Sequence, residues 1–230
     1  MKELSNSFLD ACRVCLSGID KDGNFDFPHS LPICIMDAVF SIGIRYEQAC
    51  KSWQKYQSFF GIIDGRLGCK EHTISDFLNN VKMLNGVEAF RKKIGISKHR
   101  TSSRNGILKI EAVVQIAEIL RINGIETIDD FRNYPNKQKL DSQILEIRGQ
   151  SSGIMLKYLY MLAGSTDECK PDRWLLRFAQ SYYSSIKLEE ISELLKKTVE
   201  ELKPDYPSLT VRMLDNAIWQ YMKNNSRKKR

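Results

Sequence analysis

The residue with the clearest chemical use is Asp172, in the run Lys170-Pro171-Asp172-Arg173-Trp174-Leu175-Leu176-Arg177-Phe178. A carboxylate directly after a proline and at the head of an apolar-periodic run starts a helix, and the positive end of the helix dipole keeps it ionised. Such a group caps backbone N–H groups, or it stabilises a cation developing in a transition state and orients or deprotonates a water. Upstream, Ile144 to Gly164 reads as an apolar helix end, a tight turn holding Gly149, and a second helix capped by Ser151 or Ser152. The first N–H groups of that second helix have no partner inside it and suit a phosphate oxygen. Arg148 adds positive charge, and the small residues Ser151, Ser152 and Gly153 let a phosphate backbone come close. On its own the turn also fits an ordinary corner between two packed helices.

Other chemistry-bearing residues point elsewhere or nowhere. Cys12 and Cys15 form a CxxC, but no second pair follows at metal-ligand spacing, and two thiols on one helix is the simpler reading. His29, His72 and His99 share no HExxH-like spacing. No metal or cofactor is expected. The net charge is +7, concentrated in the tail Arg227-Lys228-Lys229-Arg230 and in Lys98-His99-Arg100 with Arg104. Patches of this kind favour a polyanionic partner through counterion release.

The elements that must position these residues are helical nearly everywhere. Leu4, Phe8, Ala11, Cys12 and Cys15 repeat at three and four and stop at Gly18, before a turn at Lys21-Asp22-Gly23-Asn24. Further helices are predicted over 31–41, 46–60, 76–84 (capped by Ser75), 87–93, 107–120, 128–132, 138–147, 152–162, 172–183, 188–202 and 210–222. No period-two alternation marks a sheet, so the fold class is all-α. No run of apolar residues is long enough to span a bilayer, and the first sixteen residues lack the signature of a signal peptide. A soluble, cytoplasmic, nucleoid-associated monomer is expected.

The hairpin followed by a short loop and a PD-x-x-x-x-R helix resembles the helix-hairpin-helix (HhH-GPD) DNA glycosylase superfamily. In the L-P-G-x-G hairpin of that family, Gly149 matches the first glycine and Ser151 stands for the second. Asp172 falls on the family's catalytic aspartate, and Arg177 on an arginine that usually follows it. Ala38-Val39-Phe40-Ser41-Ile42 is similar to the family's early "ILS" helix end. Gly124-Ile125 with Asp129-Asp130-Phe131 resembles the corner that leads to the hairpin. The resemblance covers roughly residues 27 to 183 and implies a two-lobed fold. One lobe would take about 31–135, the other about 1–30 and 136–222 with the hairpin at 147–153, and 223–230 would be a basic tail.

The same resemblance implies a partner and a reaction. The partner is double-stranded DNA carrying a damaged or modified base, gripped by Arg148, Gly149, Ser151, Ser152, Gly153, Lys170, Arg173 and Arg177. The base is flipped out and its N-glycosidic bond hydrolysed, with Asp172 beside C1′ in a cleft between the lobes. Ile44, Arg45 and Tyr46 match the family's wedge loop, Arg104 sits in a second candidate loop, and Tyr46 and Trp174 are candidate base-pocket rings. Gly153 stands where strand-cutting subfamilies place a lysine, so the chain looks monofunctional. The family's four-cysteine iron–sulfur loop is absent from the sequence. Alkylated purines, oxidised purines, mismatched pyrimidines and bulky bases of foreign DNA are all compatible targets, in repair or in defence. A non-catalytic hairpin module that only binds DNA, and a helical scaffold with a basic tail, are the rivals. About four to five positive charges around the hairpin, Lys170, Arg173 and the tail should lower duplex affinity by roughly 150- to 500-fold between ~50 and ~200 mM salt. A gel-shift series across that range checks it, and an affinity flat in salt would remove the phosphate contacts.

Overall fold

A computed structural model describes residues 4–18 and 30–227, the last two by their backbone alone. The turn at Lys21–Asn24, His29, and the tail from the Arg227 side chain to Arg230 lie outside the described residues. Among the described residues the chain forms twelve α-helices and one small antiparallel hairpin. In order these are α1 (Asn6–Leu16), α2 (Leu31–Ser41), α3 (Tyr46–Phe60), β1 (Arg66–Leu67), β2 (Lys70–Glu71), α4 (Ile74–Met83), α5 (Val87–Ile94) and α6 (Lys109–Ile122). Then come α7 (Ile128–Asn133), α8 (Lys137–Leu145), α9 (Ile154–Leu162), α10 (Arg173–Gln180), α11 (Ile191–Leu202) and α12 (Val211–Arg227). A 3-10 turn at Leu188–Glu190 precedes α11. No described helix is long and apolar enough to cross a membrane.

The chain divides into two compact units, Phe27–Gly164 and a second drawn from Met1–Asp26 with Ser165–Arg230. The hairpin turn at 147–153 thus belongs with α2–α9, whereas the sequence reading groups it with the C-terminal helices. The first unit is built around α2, of which every residue is buried. A helix apolar on all sides is stable only when neighbours cover it all round, and here α3, α6 and α9 do so. Pro32 in the first turn fits the helix start, and Gly43 (φ 72°) turns the chain out of it. In the second unit α1, α10 and α11 pack on α12. Phe8 is wholly buried there, against Phe178, Tyr182 and Tyr183 at centroid distances of 5.7, 5.6 and 5.3 Å.

Several sequence expectations shift. The all-helical expectation misses the two-residue pairing Arg66↔Glu71 and Leu67↔Lys70, because strands this short carry no alternation to read. Thr73, not Ser75, caps α4: its side chain accepts from the Asp76 N–H, and Asp76 accepts from the Thr73 N–H in return. Ser75 instead donates to Glu126 Oε1 at 2.6 Å. The stretch 172–183 is helical only over Arg173–Gln180, with Asp172 as its cap.

Lys109, the first residue of α6, is 2% exposed. Its ammonium donates to the carbonyl oxygens of Phe40 (2.9 Å) and Ile42 (2.5 Å), at the C-terminal end of α2. Buried carbonyls at a helix end need such a donor, and a cation there also complements the dipole. Lys109→Met keeps the apolar stem but strands those carbonyls, so it should cost about 1–3 kcal/mol of stability. Chemical denaturation of the variant measures this loss.

Candidate functional site

The lead-in to α10 is held from two directions. Asp172 is its N-cap, and its Oδ1 accepts the N–H groups of Trp174 (2.7 Å) and Leu175 (3.1 Å). Both capping bonds fall on one oxygen, so Oδ2 takes no part in the cap. Two residues earlier the Lys170 N–H donates to Oδ2 of Asp215 on α12, at 2.7 Å. Pro171 between them is buried and Asp172 is half-buried. Asp215 is 6% exposed, and burial, reinforced by the field of Asp172, pushes its carboxyl up to about 7. On the other side of Asp172, the exposed guanidiniums of Arg173 and Arg177 lie 5.4 and 5.8 Å from the ring centroid of Trp174. A half-buried indole between two cations is a surface suited to a phosphate chain and its bases. The unit therefore presents a fixed carboxylate beside a basic, aromatic helix face.

The hairpin lies in the other unit. Residues 146–153 connect α8 to α9, with Gly149 at φ 83° and Gly153 at φ 71°. The cap of α9 is Gly153, with no side-chain capping bond, so neither Ser151 nor Ser152 caps it as the sequence suggested. Both serines, Arg148 and Gly149 are exposed. The leading N–H groups of α9 lack intrahelical acceptors, as at any helix start. A side chain at Gly149 would collide with Thr101, whose Oγ1 would lie 2.5 Å from the added carbon. Thr101 Oγ1 donates to the Arg148 carbonyl at 2.8 Å and accepts the Ile107 N–H at 3.2 Å. The loop carrying Arg104 at its exposed tip is thus bonded to the hairpin, a junction absent from the sequence pattern.

The other candidate wedge is anchored by a different route. Lys109 grips its first residue, Ile42, and the Lys109 N–H bonds the His99 carbonyl at 2.8 Å, closing the Arg104 loop as well. Ile44 is half-buried, Arg45 is exposed and is the N-cap of α3, and Tyr46 begins that helix at 36% exposure. The Tyr46 hydroxyl lies within hydrogen-bonding reach of Cys50 and Tyr158. Tyr158 on α9 donates to Oδ2 of Asp37, a 1% exposed carboxylate on α2, at 3.3 Å. Burial and the Asp37 charge raise the Tyr46 phenol pKa, so it stays a neutral hydroxyl. The structure thus gathers Arg148, Gly149, Ser151, Ser152, Gly153, Arg104, Ile44, Arg45 and Tyr46 in one unit. It places Lys170, Asp172, Arg173, Trp174 and Arg177 in the other.

A family model described as a domain of unknown function (DUF8548) matches residues 8–223. The chain belongs to that family. No curated protein and no solved structure matches it. The span shared with the DUF8548 family includes the carboxylate, the hairpin and both loops.

Asp37, Tyr158, Lys109, Thr101 and Asp215 were missed from sequence. A signal existed for two of them: Asp37 interrupts the otherwise apolar Leu31–Phe40, and Asp215 stands among Val211, Leu214, Ala217 and Ile218. Cys12 and Cys15 are buried on α1 and burial raises both thiol pKa values, as expected for packing groups. Gly149→Ala combines a positive φ with the clash on Thr101, and should cost about 1–3 kcal/mol. A thermal melt of the variant measures that loss.

Proposed function

We propose that this chain is a DNA glycosylase of the helix-hairpin-helix type, with that family's two-lobed helical fold. It flips a damaged or modified base out of duplex DNA and hydrolyses its N-glycosidic bond, leaving an abasic site. The observation that carries this reading is the state of Asp172: one oxygen locked into the cap of α10, the other outside the cap, with cationic Arg173 and Arg177 on the same helix. A carboxylate that must offset a transient cation has to be ionised, fixed and still able to turn an oxygen to the substrate.

In the reaction the C1′–N bond breaks and its electron pair leaves with the base, so positive charge develops across C1′ and the ring oxygen. Asp172 offsets that charge and orients a water. The water oxygen bonds to C1′, and its proton passes to Asp172 and then to solvent. No metal or cofactor takes part. The hairpin supports the DNA-binding half of the reading: its exposed serines, its two left-handed glycines and the start of α9, whose leading N–H groups lack intrahelical acceptors, suit a phosphate. Flipping costs roughly a few kcal/mol of lost stacking, and the family resemblance makes Tyr46 and Arg104 the candidates to fill the vacated space.

Asp172→Asn preserves the cap and removes the charge. Base release should fall by roughly a hundredfold or more, about tenfold for each 1.4 kcal/mol of lost transition-state stabilisation, while duplex affinity holds or tightens. Duplexes carrying different modified bases, treated with alkali to cleave abasic sites, provide the readout. Borohydride should trap no protein–DNA adduct, because Gly153 offers no amine to C1′. Undiminished release by the Asn variant would leave Asp172 as a helix cap. Tight binding with no release from any duplex would make the chain a binding module.

A further inference from the structure

The observations reach furthest at Asp215. It projects from α12 as a nearly fully buried carboxyl, and its Oδ2 takes the Lys170 N–H at 2.7 Å. That hydrogen bond lies two residues before Asp172, across a buried proline that transmits position with little slack. The Asp172 cap bonds then follow immediately, at Trp174 and Leu175. A helix cap alone fixes a carboxylate relative to its own helix. It does not fix where that helix begins relative to the body of the unit. Asp215 supplies that second constraint, because α12 packs against α1, α10 and α11 together.

We propose that Asp215 is a positioning residue for Asp172, holding the Lys170–Asp172 segment so that the free oxygen of Asp172 stays aimed at substrate. The proposal rests on Asp172 being the working carboxylate. A hydrophobic residue would fill the site better, and a buried carboxyl is costly without a specific partner, so the Lys170 N–H gives its presence a reason. Among charged groups on the elements packed against α12 and on the segment entering α10, those whose fields act on Asp215 are Asp172, which raises its pKa, and Lys170, which lowers it. The field of Asp172 thus reaches Asp215, though burial acts on it more strongly.

A raised carboxyl has a defined sign. Asp215 prefers its proton more in the folded than in the unfolded chain, so its contribution to stability is complete below about pH 4 and is lost as pH rises through about 7. An Asn at 215 does not titrate, so the melting temperature of Asp215→Asn relative to wild type should climb between those values. A difference that stays flat with pH would show that Asp215 is not buried beside Asp172 as described.

The deciding experiment compares Asp215→Asn and Asp215→Ala by amide hydrogen exchange and by single-turnover base release. Asn keeps a carbonyl oxygen for the Lys170 N–H, and Ala does not. Ala should speed exchange at the Lys170, Trp174 and Leu175 amides at least tenfold over wild type, and Asn should restore most of the protection. Base release should drop at least tenfold in Ala with DNA affinity within threefold of wild type, and recover largely in Asn. Unchanged exchange at Trp174 and Leu175 in the Ala variant would overturn the positioning role, whatever the enzymatic result. Absence of base release in the wild type alongside the expected exchange pattern would instead strike at the glycosylase reading and leave the positioning of Asp172 in place. Should Ala fail to fold, Asp215→Leu fills the volume without an acceptor and gives the same comparison.

Discussion

A lysine ammonium taken out of water has to find protein oxygen, since a bare buried charge is far more costly than any packing it allows. Lys109 meets that demand on the last carbonyls of α2, and much of the central unit follows from it. The bond requires α6 to start against the end of α2, which sets how two of the most buried helices cross. It fixes Ile42, and with it the direction in which the chain leaves α2 toward Tyr46. Through its backbone N–H to His99, the same residue closes the loop that carries Arg104. Thr101 in that loop then binds the hairpin. Two exposed loops and a helix corner, far apart in sequence, are in this way referred to a single residue.

The carboxylates obey the complementary rule. Asp172 is capped by N–H groups at a helix start, the environment in which a negative charge is comfortable. Asp37 and Asp215 are buried on helix faces that are otherwise apolar, where Asp37 accepts from the Tyr158 hydroxyl and Asp215 from the Lys170 N–H.

How much of this was legible in the sequence depends on the range of the interaction. The limits of α2 and α3 could be read to the residue, because Pro32 and the Ile42-Gly43-Ile44 break act within a few positions. The cap of α4 was misread by two residues: Thr73 and Ser75 both suit a cap, and Asp76 three residues after Thr73 decides between them, while Glu126, 51 residues from Ser75, takes the serine. At α9 two serines masked a glycine whose left-handed backbone makes the turn. Asp172 at the head of a helix was visible because its partners are its own neighbours. Asp215 was not, since Lys170 lies 45 residues away, nor was the Tyr158–Asp37 bond across 121. Local backbone chemistry is written in the sequence, and buried polar partnerships become visible only once the chain is folded.

The pairing of α1 with α12 sets an order of events during synthesis. α1 is made before α2–α9, yet the surface that buries Phe8 and Cys12 comes from α10 and α12, which follow them. At roughly 5–20 residues per second, the apolar face of α1 waits on the order of 10–40 s while the whole of α2–α9 is made and can fold. The central unit is therefore able to mature before the unit bearing Asp172, which is completed only when its two segments close upon each other. A nascent or truncated chain lacking α12 would carry an exposed sticky helix and an unanchored carboxylate. Such a fragment is one that chaperones and proteases would recognise long before it could meet a substrate.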